Sequence, residues 1–177
     1  MSYDKEREKE IKTIKERTIT LKLSDADCER IAAKAGGQGL TVGELLENFI
    51  GDLVDGTYSN GSDECDRAEQ WFERCWFGMF PEENLLRHLL EWGHDVDDFL
   101  TAYDELKHYE ANPQEFAEEV EEAKENGEEM LWFEQEYHYY IDDFLDNHEE
   151  VAMKKEIELC RKWLTDFKRL KEEKADE

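Results

Sequence analysis

The first seventeen residues, Met1 to Arg17, alternate Lys and Arg with Glu and develop no apolar core. The pattern then changes. Thr18-Ile19-Thr20-Leu21-Lys22-Leu23 alternates polar and apolar residues at period two, as a half-buried strand does. Ile19, Leu21 and Leu23 fall on one face, and Thr18, Thr20 and Lys22 on the other. Ser24 suits a helix N-cap, with Asp25 and Asp27 in the first turn. From there the period becomes helical: Cys28, Ile31, Ala32 and Ala35 recur at i, i+3, i+4 and i+7. Gly36-Gly37-Gln38-Gly39 stops that helix, and Thr41-Val42-Gly43-Glu44 reads as a capping box that starts another. The stripe of this second helix is Val42, Leu45, Leu46, Phe49, Ile50, Leu53 and Val54.

Residues 55–62 are rich in turn formers and predict a linker, so the chain reads as a module over 1–55 and a helical domain over 56–177. The second part is dense in aromatic residues at helical spacing. A helix is expected over Asp63 to Phe77 with Gly78 at its end, another opened by Pro81-Glu82-Glu83 and closed by Gly93, and a third over Asp95 to about Glu110. A short helix after Pro113 ends at Gly127, one runs from Glu128 to about Asn147, and the last from about Glu149 to Lys174. Such stripes build a small acidic helical bundle or a long helical hairpin.

One strand and two helices in under 40 residues bury little apolar surface alone, and a lone strand leaves its edge unpaired. Two chains pairing their strands over four helices would answer both problems. On the TITLKL tract, the short helix around Cys28–Ala35 and the GLTVGELLENFI entry, residues 17–54 resemble the ribbon-helix-helix family of Arc- and MetJ-like repressors. The resemblance implies a mostly α fold with a dimeric N-terminal ribbon-helix-helix of one strand and two helices. It implies a homodimer core of Ile19, Leu21, Leu23, Leu45, Leu46, Phe49 and Ile50. It also implies operator DNA met by the ribbon residues Thr18, Thr20 and Lys22, with Lys12, Lys15 and Arg17 on the backbone. A phosphate would sit at the helix start, Thr41 and Val42.

Charge changes this picture. The 177 residues carry a formal net charge of −26. Residues 1–55 contribute −3 and residues 56–177 contribute −23; the stretch 1–24 is the cationic one, at +2. This balance argues against a nucleic-acid coat or a binder of anionic membranes, which need cationic surface. No apolar run approaches the ~20 residues that span a bilayer, and the N-terminal tract is not of the secretory-signal type. The cytoplasm is therefore the expected location.

Candidate chemistry is thin. Cys28, Cys65, Cys75 and Cys160 are scattered without a Cys-x-x-Cys pair. Cys65 with Cys75 and His88 with His94 lack zinc-ligand spacing, His138 has Gln135 where a di-iron motif needs Glu, and the Asp142 to Glu150 carboxylates lack the loop of an EF-hand. There is no phosphate loop, GxSxG or GxGxxG. No enzyme, cofactor or metal is expected.

Acidity is the remaining signal. A folded protein of charge −26 can occupy the Lys/Arg channel of a DNA-handling protein in place of DNA. Asp63, Glu64, Asp66, Asp95, Asp97, Asp98 and the run Glu118–Glu122 are candidate phosphate mimics, and Trp71, Trp76 and Phe80 a candidate aromatic partner surface. On the segments LSDADCERIAAKAG, LTVGELLENFIGDLVDGTYSNGSDE and AEQWFERCWFGMFPEE, the whole chain is similar to small acidic proteins of phages and mobile elements in gut Firmicutes, among them anti-CRISPR proteins. That resemblance implies an inhibitor of guide-loaded Cas9, or of another DNA-handling nuclease with its guide RNA, that blocks target-DNA binding or cleavage. The alternatives are a ribbon-helix-helix transcriptional regulator with an acidic partner arm, and an antitoxin-like adaptor that neutralises a basic toxin.

Overall fold

The computed structural model describes residues 3–148 and 152–172, and every regular element among them is a helix. Residues up to Glu82 form one compact unit and Glu83–Glu172 a second.

The first unit holds α1 (Tyr3–Lys12), α2 (Asp25–Gly36), α3 (Val42–Leu53), α4 (Ser62–Arg74) and the single turn α5 (Trp76–Met79). Helix α1 is unforeseen by apolar patterning. Its sequence is nevertheless suited to a solvated helix, since Glu8 and Lys12 stand in the favourable i, i+4 order. Helix α2 starts where Ser24 Oγ accepts the Asp27 amide at 3.2 Å. It ends with Gly39 at φ +72° and the Leu40 amide turned back onto the Ala35 carbonyl at 3.1 Å. Helix α3 opens with the expected capping box: Thr41 Oγ1 accepts the Glu44 amide at 3.2 Å, and Glu44 Oε2 accepts the Thr41 amide at 2.7 Å.

Residues 54–61 form a tight return at the end of α3. A Cβ on Gly51 would stand 2.6 Å from the Tyr58 carbonyl carbon, so only glycine lets the loop backbone lie there. Asp52 accepts both the backbone amide of Asn60, at 2.7 Å, and its side-chain amide, at 3.0 Å. Helix α4 packs against α3, its Ala68 buried, and at Cys75 the backbone turns extended so that α5 folds back on α4. The expected single helix from Asp63 to Phe77 is thus two, and Gly78 lies against the Phe72 carbonyl rather than past a helix end.

The ribbon-helix-helix expectation is overturned. Among the described residues there is no strand, and 14–24 carry neither helix nor ladder. A strand exists only by pairing its backbone with another, and no other described segment of this chain supplies one. Period-two alternation marks faces; it does not supply a partner. The proposed dimer core is not a core: Ile19, Leu21 and Leu23 are about half exposed, Phe49 and Ile50 are exposed, and Leu45 and Leu46 are half-buried.

The second unit is a bundle of α6 (Leu85–Glu91), α7 (Val96–Ala111), α9 (Trp132–Asp146) and α10 (Met153–Lys171), and α8 (Ala117–Asn126) lies in the connection from α7 to α9. Asn84, not Pro81, starts α6: its side chain accepts the Arg87 amide at 2.9 Å. A second acceptor for this helix start comes from far along the chain, Glu156 Oε2 taking the Leu85 amide at 2.9 Å. Asp95 caps α7, Gly127 at φ +76° closes α8, and Glu134 reaches back to the Leu131 amide at 2.8 Å to start α9. The expected ends of the last helix, Glu149 and Lys174, lie outside the described residues.

The bundle core is Leu85, Leu89, Val96, Phe99, Leu100, Tyr140, Ile141, Phe144, Ile157 and Cys160, the inward stripes of four helices. Ala102, Phe116, Ala123, Leu131 and Phe133 form a second cluster that seats α8. Burial pushes the Cys160 thiol up to about 11 and the Tyr140 phenol up to about 12, so both groups are neutral at pH 7. Helix α10 carries seven cationic and three acidic side chains and lies against acidic α7. Lys168 meets Asp97 at 2.6 Å, and Arg161 pairs with Asp104.

Candidate partner-binding surface

In the first unit, helices α3 and α4 leave an open groove of about 390 Å³ lined by Phe49, Asp52, Asp63, Glu64, Arg67 and Trp71, with buried Ala68 at its base. Phe49 of α3 meets Trp71 of α4 edge-on, with ring centroids 5.4 Å apart. From Trp71 the aromatic surface continues to Phe77 at 6.3 Å, and from Phe77 to Phe72 at 5.3 Å and Trp76 at 5.9 Å. All of these rings are exposed, Trp76 and Phe80 to 70%. Aromatic faces left in water in a row are the mark of a surface that meets something else. The groove has an acidic rim. Asp63 and Glu64 open α4 and, among the described residues, make no ion pair, and neither does Arg67. Asp52 is different: the two Asn60 hydrogen bonds hold its carboxyl below the usual carboxylate range, so it stays charged and fixed.

The structure thus brings Asp63, Glu64 and Trp71 together, with Asp66, Trp76 and Phe80 on the same unit. Asp95, Asp97 and Asp98 belong to the other unit, where the side chains of Asp95 and Asp97 have partners of their own. Asp95 Oδ1 accepts the amides of Asp97 at 2.8 Å and Asp98 at 3.4 Å, and Asp97 is paired with Lys168. What sequence reasoning missed is Phe49 as a groove wall and Asp52 as a rim charge. The spacing of Phe49 placed it in a helical stripe, but only the return of the 54–61 loop fixes Asp52.

The DNA-reading constellation does not assemble. Thr18, Thr20 and Lys22 sit on irregular chain with no ribbon to align them. The Arg17 guanidinium donates to the Thr13 carbonyl at 3.3 Å, and Lys15 is half-buried. At the start of α3 the Glu44 carboxylate already takes the Thr41 amide and, at 2.8 Å, its hydroxyl. Those hydrogen bonds hold the Glu44 carboxyl below its ordinary range. A phosphate would have to displace an anion from that helix end and lie beside Val42 with the carboxylate still near.

Among the described residues no group of three or more His, Cys, Asp or Glu side chains is placed to hold a metal ion, and no helix is long and apolar enough to cross a membrane. Comparison with protein-family models, curated proteins and solved structures finds no match to the chain, so the resemblances read from its segments gain no support there.

Proposed function

We propose that this protein is a non-catalytic inhibitor that binds a DNA-handling nuclease, first among them guide-loaded Cas9, through surface that stands in for nucleic acid. The observation that carries the reading is the row of carboxylates that helix α8 displays. Helix α8 spans ten residues, about 15 Å of axis at the α-helical rise. Its five glutamates, Glu118, Glu119, Glu121, Glu122 and Glu125, all reach solvent, against the single cation Lys124. That is a net charge of about one per 4 Å, close to the one phosphate per 3.4 Å of axis of a DNA strand. The helix is anchored through Ala123 and its preceding Phe116 to the second core cluster, so the charges are presented on a fixed frame. A channel lined with Lys and Arg that holds a heteroduplex offers matching charge.

The test is target-DNA cleavage by guide-loaded Cas9 from two divergent orthologues, with and without preincubated protein. Inhibition at near-stoichiometric ratio is the expected result. Replacing Glu118, Glu121 and Glu122 by Gln should weaken it, and a DNA-binding readout on the same samples locates the blocked step. Full cleavage by both enzymes at excess protein would sink the reading.

A further inference from the structure

The groove between α3 and α4 combines features that a solvated helix face does not need. Its walls are the rings of Phe49 and Trp71, and Trp71 is 48% exposed although it stands beside buried Ala68. At its mouth are three carboxylates: Asp63 and Glu64, without ion pairs among the described residues, and Asp52, fixed by Asn60. One cation, Arg67, lines it with them. The charge decides between occupants. A second copy of the chain would bring acidic surface against an acidic rim. A phosphate group or a nucleic acid would be repelled, and a purely apolar ligand would strip water from carboxylates and give them no partner. A cation with a flat face satisfies both parts of the groove. The guanidinium group stacks on indole and donates N–H groups in a fork that fits carboxylates; an ammonium group does neither as well.

We propose that this groove receives an arginine side chain of a protein partner, its guanidinium plane against Trp71 and its N–H groups donated to Asp63 and Glu64. The exposed rings of Phe77, Phe72 and Trp76 continue from Trp71 and cover the apolar residues beside that arginine. The inference rests on the reading of the protein as a binder of cationic proteins. It adds a specific subsite to that long-range attraction, on the less acidic portion of the chain.

The probe is a short peptide with two arginines flanked by leucines, with versions carrying lysine or citrulline in their place. Each is titrated into the ¹⁵N-labelled full chain while the five indole N–H signals are followed, Trp71 being assigned by Trp71→Phe. The expected result is a saturable shift of the Trp71 signal with the arginine peptide, about tenfold weaker binding of the lysine peptide, and no shift with citrulline. The double variant Asp63→Asn/Glu64→Gln keeps helicity and should weaken arginine binding by about tenfold. A silent Trp71, equal binding of the lysine and arginine peptides, or unchanged binding by the double variant would overturn the proposal. So would a Trp71 shift that follows protein concentration without peptide, which marks a second copy as the occupant. The nuclease assay fails independently: inhibition with a silent Trp71 removes the arginine subsite alone, and a peptide-responsive Trp71 without inhibition of any nuclease removes the nuclease reading alone.

Discussion

The two compact units spend their aromatic residues differently. In Glu83–Glu172 the large side chains of Phe99, Phe133, Leu85, Leu89 and Ile141 are fully buried, and four helices share one core. In the unit ending at Glu82, the buried side chains among the described residues are those of Ala35 and Ala68, while Phe49, Trp71, Phe72, Trp76, Phe77 and Phe80 remain 40–70% exposed. Burial of apolar area stabilises by roughly 25 cal/mol per Å². The core of the second unit has drawn on that stabilisation in folding, and the first unit leaves about half of the area of these six rings in water. A substitution in the core of the second unit should therefore cost stability, and one on the rings of the first should cost binding.

The sharpest way to break this contrast is a pair of truncations. Phe99 is fully buried and lies within 6.3 Å of Tyr137 and 5.9 Å of Tyr140, ring to ring. Phe99→Ala should cost about 3–5 kcal/mol, enough to unfold much of the second unit at room temperature. Trp71→Ala removes a larger ring that is half in water, and should cost no more than about 1–2 kcal/mol. Urea unfolding followed by circular dichroism separates the two, and equal losses would end the comparison.

The first unit has a structural point of its own where the backbone, not a ring, decides. Gly51→Ala places a Cβ 2.6 Å from the Tyr58 carbonyl carbon and 2.8 Å from the Ser59 nitrogen, both backbone atoms that cannot rotate away. A loss of about 1–3 kcal/mol is expected, confined to the first unit. Amide exchange should report faster opening in α3 and the 54–61 return while α7 and α9 keep their protection.

Much of the second unit was legible because burial leaves a period in the sequence. The helices expected over Asp95 to about Glu110 and Glu128 to about Asn147 carry Val96, Phe99, Leu100 and Tyr103, and Phe133, Tyr137, Tyr140, Ile141 and Phe144, which are the core and its immediate surroundings. Caps were legible where the signal is local: Ser24, the Thr41–Glu44 box and Gly127. Long-range acceptors were not. Glu156 caps α6 from 71 residues away, which no window in the sequence reveals. The strand failed for a related reason, since TITLKL alternation describes two faces while a strand needs a partner backbone. The groove was half legible: Asp63, Glu64 and Trp71 stand out as acidic and aromatic, but Asp52 joins them only through the loop that returns to it.

A pH comparison probes a seam of the second unit. His88 lies against the rings of Phe144, at 5.5 Å, and Trp92, at 6.0 Å, with His94 and His148 close enough to disfavour its charge and Asp143 and Glu91 favouring it. Burial is the largest influence and holds its pKa below the ordinary 6.5. The unfolded chain therefore binds this proton first. Stability is unaffected well above pH 6.5, begins to fall as pH drops through 6.5, and is fully reduced once pH is below the folded value. In His88→Gln that portion of the loss is absent. The gap in melting temperature between the two proteins should thus shift in favour of the variant between pH 7.5 and 5.5. Carboxylate protonation acts on both alike, and a gap independent of pH would show that His88 does not couple to folding.

The smallest expected effect bears on what the acidic residues are for. Asp97 meets Lys168 of α10 at 2.6 Å with both side chains about half exposed, a geometry worth no more than about 1 kcal/mol. Asp97→Asn should lower stability by that amount at low salt, and the difference should fade toward 0.5 M salt as screening shortens the reach of charge. If Asp97 serves α10 rather than a partner, nuclease inhibition and the Trp71 peptide response should stay as in the parent protein. The α8 glutamines should show the opposite pattern, weaker inhibition at unchanged stability. A variant at Asp97 that abolished inhibition while leaving the urea midpoint in place would move the partner surface onto α7. The second unit would then meet its partner through α7 as well as through the glutamates of α8.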